Sequence, residues 1–124
     1  MNYNHFTFHE LCKTSHSEQN YPANMEHVEN LVCLAQLLED IRDAYGHPIV
    51  VTSGFRTPLV NSAVGGVPNS LHLVGRAADI RPNLHPSCDY YFNFQCLVDV
   101  IKSFDDELSE FIVDPKSRYI HIAL

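Results

Sequence analysis

The sequence predicts an α+β domain, with helices packed on a small, largely antiparallel sheet. Three observations lead there. Apolar residues recur at spacings of three and four over two long stretches, the period of helices that bury one face. Short apolar runs of strand length lie between and after them, punctuated by glycine and proline. The chain closes with two such runs around Asp114-Pro115-Lys116-Ser117, where Asp and Pro suit the first two positions of a type I turn. The 124 residues fit one domain, and 45% hydrophobic with 19% charged residues is ordinary for a globular core.

Taken in order, Thr7-Phe8-His9-Glu10 has capping-box spacing and opens a short helix ending near Lys13. Thr14 to Asn24 is polar and reads as a loop. From Met25, the residues Val28, Leu31, Val32, Ala35, Leu38, Ile41 and Tyr45 mark one amphipathic helix, capped by Asn24 and ended by Gly46 and Pro48. Ile49-Val50-Val51 follows as a buried strand. Thr57-Pro58 is an N-cap with proline at the first helical position, and Gly65-Gly66 stops that helix. Arg76 to Ile80 is a second strand. A further helix starts near Pro86 and Ser87 and turns Phe94, Leu97, Val98, Ile101 and Phe104 inward. Glu110 to Val113 and Tyr119 to Ala123 form the closing hairpin. Residues 1–124 thus read as one domain without repeats.

Charge and composition narrow the function. A formal charge of −7 with no basic stripe gives no reason to bind nucleic acid. The longest apolar run is too short to span a bilayer. Met1-Asn2-Tyr3-Asn4-His5 is not a basic region leading into an apolar stretch, so no secretory signal is read and synthesis in the cytoplasm is expected. Cys12, Cys33, Cys88 and Cys96 form no C-x-x-C pair, which argues against an all-cysteine zinc site. Cys33 and Cys96 fall in helical apolar patterns, and the expectation is reduced, structural cysteine.

The chemistry gathers mid-chain. His72 and Asp79 lie seven positions apart in Ser70-Leu71-His72-Leu73-Val74-Gly75-Arg76-Ala77-Ala78-Asp79. They can converge if His72 ends a loop, Gly75 bends the backbone and Asp79 sits on the following strand. Ala77 would share the face of Asp79 and leave room beside it. Imidazole and carboxylate both suit zinc, although such a pair alone is more often a hydrogen-bonded contact.

The whole string says more. Ser53-Gly54-Phe55-Arg56-Thr57-Pro58, Asn61, Ala63-Val64-Gly65-Gly66 and Ser70-x-His72-x-x-Gly75-x-Ala77-x-Asp79 closely resemble the M15 peptidases. These are zinc D-alanyl-D-alanine carboxypeptidases, dipeptidases and related phage cell-wall endopeptidases. The resemblance runs from Phe6 to the C-terminus and is nearest to short, single-domain members. It implies the Hedgehog/DD-peptidase-like fold. Tyr119-Ile120-His121-Ile122 matches the strand that carries the family's third ligand. The implied zinc (Zn2+) ligands are therefore His72, Asp79 and His121, with Arg56 facing substrate charge and Ser70 beside the first ligand, either bonding substrate or serving as a turn serine. The implied substrate is a D-Ala-containing peptidoglycan peptide. The phage members raise an origin in a phage or mobile element, with action at the cell wall.

One departure stands out. The family's general base is usually a glutamate three residues before the last histidine, and here that residue is Arg118. Another carboxylate could serve, the local alignment could shift, or catalysis could be lost. A turn centred on Pro115-Lys116 would pair Val113 with Arg118, Ile112 with Tyr119 and Glu110 with His121. Glu110 would then act as base or orient His121 through its free N–H. Asp114, Glu107 and Asp106 are weaker candidates. His5, His9, His16, His27, His47 and His85 have no ligand context. The leading reading is zinc-dependent hydrolysis of cell-wall peptides. The alternative is a catalytically impaired zinc-containing binding module on the same fold, as the Hedgehog signalling domain illustrates. A metal-free structural protein would require the three ligands to lie apart.

Overall fold

In a computed structural model, which describes residues 5–14, 19–83 and 89–124, four α-helices accompany a four-stranded antiparallel sheet. Helix α1 (Phe8–Leu11) starts where expected, with the Thr7 hydroxyl accepting the Glu10 N–H at 3.1 Å. Helix α2 (Met25–Tyr45) has Asn24 as its cap, its side chain accepting the Glu26 N–H at 2.7 Å, and Gly46 at its end. Strand β1 (Ile49–Ser53) leads to helix α3 (Pro58–Ala63), which Thr57 caps. Strand β2 (Ala77–Pro82) precedes helix α4 (Tyr90–Lys102). The start expected near Pro86 and Ser87 falls outside the described residues. Strands β3 (Glu110–Asp114) and β4 (Tyr119–Ala123) close the chain. Two 3-10 turns, Leu71–Val74 and Asp105–Glu107, are additions that apolar periodicity cannot reveal in so few residues.

The strand order is β1-β2-β4-β3. One face of the sheet carries Val51, Ala78, Ile80, Ile120 and Ile122, all buried in a core with Leu34, Leu38, Ile41, Leu97 and Ile101 from α2 and α4. Since side chains alternate across a strand, the opposite face receives Asp79, His121, Ile112 and Glu110. Burial of one face thus fixes where the polar residues of the other point.

Helix α2 departs from the expected single stripe. Val32 is 41% exposed and Cys33 is exposed, whereas Leu34 and Leu37 are buried. The helix packs on α4 along one side and on α1 and the Leu71–Val74 turn along another, so its buried arc is wider than one stripe. Cys12 is the buried thiol, and burial pushes its pKa to about 11. Cys12, Cys33 and Cys96 are all unpaired, as expected, and Cys88 lies outside the described residues.

The hairpin register also differs from the expectation. Asp114 pairs with Tyr119, Ile112 with His121 and Glu110 with Ala123, a displacement of two residues. Asp114 is the reason. Its Oδ1 accepts the N–H groups of both Lys116 and Ser117 at 3.1 and 3.2 Å, and Arg118 takes a left-handed φ of 57°. The loop therefore spans residues 115–118, and pairing resumes at Tyr119. A shift of two preserves the faces, so Glu110 and His121 remain on one side as diagonal neighbours.

Within the polar loop before α2, Asn20 is only 3% exposed. Its amide donates to the carbonyls of Cys12 and Phe55 at 2.9 and 2.7 Å, and its carbonyl accepts the Thr57 N–H at 2.8 Å. One side chain thus ties α1 to the segment running into α3. Nothing in a run of polar residues singles it out.

Glu39 on α2 anchors the N-terminal segment. Its carboxylate accepts the N–H groups of His5 and Phe6 at 2.8 and 3.0 Å and lies 2.7 Å from His5 Nδ1. Burial alone would raise its pKa, but these bonds outweigh it and hold the group below the ordinary 4.5. A depressed folded-state pKa stabilises the fold above the unfolded value, and that contribution is lost as pH falls through the folded value. Glu39→Gln is therefore expected to lower unfolding free energy at pH 7 by about 1–3 kcal/mol, with the difference from wild type vanishing in strong acid. Urea unfolding at both pH values checks this, and an equal loss at each would contradict it. Among the described residues, no helix is long and apolar enough to cross a membrane.

Candidate metal and substrate site

The site forms where β2 meets β4 and the Leu71–Val74 turn leans against β2. Asp79 and His121 are direct partners across the two strands, and His121 Nδ1 lies 2.8 Å from Asp79 Oδ1. His72 is 3% exposed, sits within the 3-10 turn rather than at the end of a loop, and has Nε2 3.4 Å from the same oxygen. Ser70 caps this turn by accepting the His72 N–H at 3.2 Å, which gives the serine a structural task beside its place on the pocket wall. Gly75 takes a left-handed φ of 78° and makes the expected bend into β2.

His72 is held from behind. Its Nδ1 lies 2.7 Å from the Gly54 carbonyl, to which an Nδ1–H donates, leaving the Nε2 lone pair for the pocket. Gly54 has no substitute here, because a Cβ would stand 2.2 Å from the Leu11 carbonyl oxygen of α1. The Phe55 N–H bonds that same oxygen, and the Arg56 N–H bonds the His72 carbonyl. The Ser53-Gly54-Phe55-Arg56 segment is thus stitched between α1 and the histidine turn.

A break in the β1–β2 register sets the next residues. Ile49 to Val51 pair regularly, but Ser53 rather than Thr52 opposes Asp79. The extra residue turns Ser53 toward the site, as strand irregularities beside functional clefts commonly do. Ser53 Oγ accepts the Arg56 Nε–H at 3.0 Å, and Arg56 Nη2 reaches within 3.6 Å of Asp79 Oδ2.

Electrostatics follow from this crowding. Burial pushes the Asp79 carboxyl upward, but the bonds with His121 and His72 prevail and hold it at about 2. The hydrogen bond with Asp79 raises the His121 pKa, burial opposes the rise, and Glu110 adds to it. Glu110 Oε1 lies 2.8 Å from His121 Nε2, so the imidazole has a carboxylate at each nitrogen. The contact expected from direct pairing is made diagonally instead.

Ligand atoms of His72, Asp79 and His121 all lie within 4.8 Å of one another. They face a cavity of about 390 Å³, whose wall also includes Arg56, Ser70, Glu110 and Tyr119. Ala77 shares the Asp79 face but is itself wholly buried opposite Ala123, and does not line the cavity. The other carboxylates considered from the sequence stand away from that wall: Asp114 holds its turn, and Asp106 and Glu107 are exposed on a 3-10 turn. Arg118 turns its guanidinium over the rings of Tyr90 and Tyr91, 5.2 and 5.3 Å from their centroids. His5 pairs with Glu39, His47 stacks edge-on with Tyr45, and His16 and His85 lie outside the described residues.

The sequence model of a family described as Peptidase M15 matches residues 4–123. The chain belongs to the peptidase M15 family. It is also 39% identical over 86 residues to the zinc D-Ala-D-Ala carboxypeptidase of Streptomyces albus G. That match covers 67% of this chain and 33% of the carboxypeptidase, so this M15 chain spans about a third of that relative's length. The residues of this M15 chain that sequence reasoning left without a role are Ser53, Asn20 and Asn61. Asn61 stands in the quoted motif, but a motif alone does not say what an amide does.

Proposed function

We propose that this chain is a zinc peptidase acting on D-Ala-containing peptides of peptidoglycan type, with His72, Asp79 and His121 as the metal ligands. The observation that carries the reading is the convergence of those three donors in one pocket with Arg56. The donor set fits the metal: the Gly54 carbonyl locks one imidazole in the tautomer that frees Nε2, and ligand atoms of Asp79 and His121 lie within 4.8 Å of it and of each other. When bound, zinc supplies a Lewis acid that polarises a carbonyl and makes water acidic enough to attack at neutral pH.

The chain's own residues supply the rest. Arg56 binds the oxygen or carboxylate of the peptide through its guanidinium fork and stabilises charge that develops there. Glu110 holds the proton at His121 Nε2, fixing the ring, and is the carboxylate besides Asp79 on the cavity wall. It is thus the group to take a proton from water and return it to the leaving amine. Arg118, which stands at the family's usual base position, faces the tyrosines of α4 and takes no part. The relative's name supports D-Ala peptides as the substrate class.

The test is incubation of zinc-loaded protein with muropeptides containing D-Ala, followed by mass spectrometry. Cleavage at a D-Ala bond is the expected result. A broad panel left intact by fully zinc-loaded protein would replace the peptidase with a zinc-containing binding module.

A further inference from the structure

Arg56 is a long, rotamer-rich side chain, yet the proposed reaction needs its guanidinium in one place. Its Nε–H donates to Ser53 Oγ at 3.0 Å, and one Nη1–H donates to Asn61 Oδ1 at 3.2 Å. Asn61 is itself only 4% exposed. Its Nδ2 donates to the Val67 carbonyl at 2.9 Å, which fixes the amide with Oδ1 toward Arg56, since the flipped amide would set N–H against N–H. Its backbone N–H bonds the Thr57 carbonyl, and its carbonyl accepts the Gly66 N–H. The two adjacent glycines serve different needs. Gly65 takes a left-handed φ of 74° in the turn, while Gly66 provides room. A Cβ on Gly66 would stand 2.0 Å from Asn61 Oδ1 and 3.0 Å from Arg56 Nη1.

From this geometry we infer that Asn61, seated against Gly66, is a positioning residue that aims the Arg56 guanidinium into the pocket. Nη1 keeps one N–H free of Asn61, and Nη2, 3.6 Å from Asp79 Oδ2, bonds neither Ser53 nor Asn61, so both can meet a peptide carboxylate or carbonyl oxygen. Asn61 never touches substrate and acts through Arg56. The catalytic part of this inference rests on the peptidase reading, whereas the ordering of Arg56 does not.

The test therefore has two arms. In the first, the Arg56 side-chain N–H signals are followed by NMR in protein with its zinc site filled. Wild type should show a slowly exchanging Nη1–H, the one held by Asn61 Oδ1. Asn61→Ala should speed its exchange roughly 10-fold or more, and Gly66→Ala should do the same by displacing the amide. Asn61→Asp keeps an oxygen toward Arg56 but turns the other against the Val67 carbonyl, so the exchange should fall between that of wild type and that of Asn61→Ala. In the second arm, Asn61→Ala should lower kcat/KM for a D-Ala peptide about 10–100-fold with zinc content unchanged. In an Arg56→Ala background the same change should have almost no further effect. An Arg56 signal untouched in folded Asn61→Ala protein, or full additivity of the two substitutions, would overturn the inference. Wild type that cuts no peptide would remove the peptidase reading and leave the first arm to decide the positioning role.

Discussion

His121→Ala should leave a folded protein that no longer retains zinc. The side chain lies on the sheet face opposite the core, flanked by Ile120 and Ile122, which are fully buried and untouched by the change. What goes is one of three donors, together with contacts of 2.8 Å to Asp79 and to Glu110. Loss of an outer-shell partner alone typically weakens a metal site roughly 10–100-fold, and loss of a ligand should exceed that. Metal analysis after dialysis, with circular dichroism to confirm the fold, reads the result. His47→Ala is the control, because His47 stacks on Tyr45 outside the cluster and should keep its zinc. Equal zinc retention in both variants would refute the assignment of His121.

The second large effect is expected at Glu110. Glu110→Gln keeps the size of the side chain and an oxygen to accept from His121 Nε2, but it cannot take a proton. The rate on a D-Ala peptide should fall by about 10²–10⁴, the usual worth of a positioned acid–base group, with zinc retained at saturating metal. Two other outcomes are informative. Activity restored in full by added zinc would confine Glu110 to holding the His121 ring. Unchanged activity would take it out of the mechanism altogether.

The sequence was most legible where a local signal had a single physical meaning. Thr7, Asn24 and Thr57 cap the helices they were expected to cap, because an N-cap needs only one oxygen and a free N–H nearby. Alternation in β2 and β4 put Asp79 and His121 on one face, since the apolar partners of those strands had to go to the other. Register was less legible. The Asp-Pro-Lys-Ser segment announces a turn, but the loop length depends on Asp114 capping two N–H groups and on Arg118 tolerating a left-handed φ. The contact between Glu110 and His121 survived that error because a displacement of two residues conserves parity.

Long-range polar contacts were the least legible part. Asn20 and Asn61 are both buried asparagines whose partners lie on other elements or across a turn, and no periodicity encodes them. The extra residue in β1 that aims Ser53 at Arg56 leaves no mark in composition either. The family motif did contain Asn61 and both glycines, but only the geometry separates Gly65, which supplies a turn, from Gly66, which supplies space.

Everything proposed for this pocket depends on its holding zinc, and the zinc content of wild-type protein, purified without chelator and supplemented with zinc before exhaustive dialysis, decides it. Three preorganised donors should hold the ion through dialysis, giving close to one zinc per chain. Protein that is folded yet emerges without stoichiometric zinc would contradict the assignment of His72, Asp79 and His121 as a zinc site.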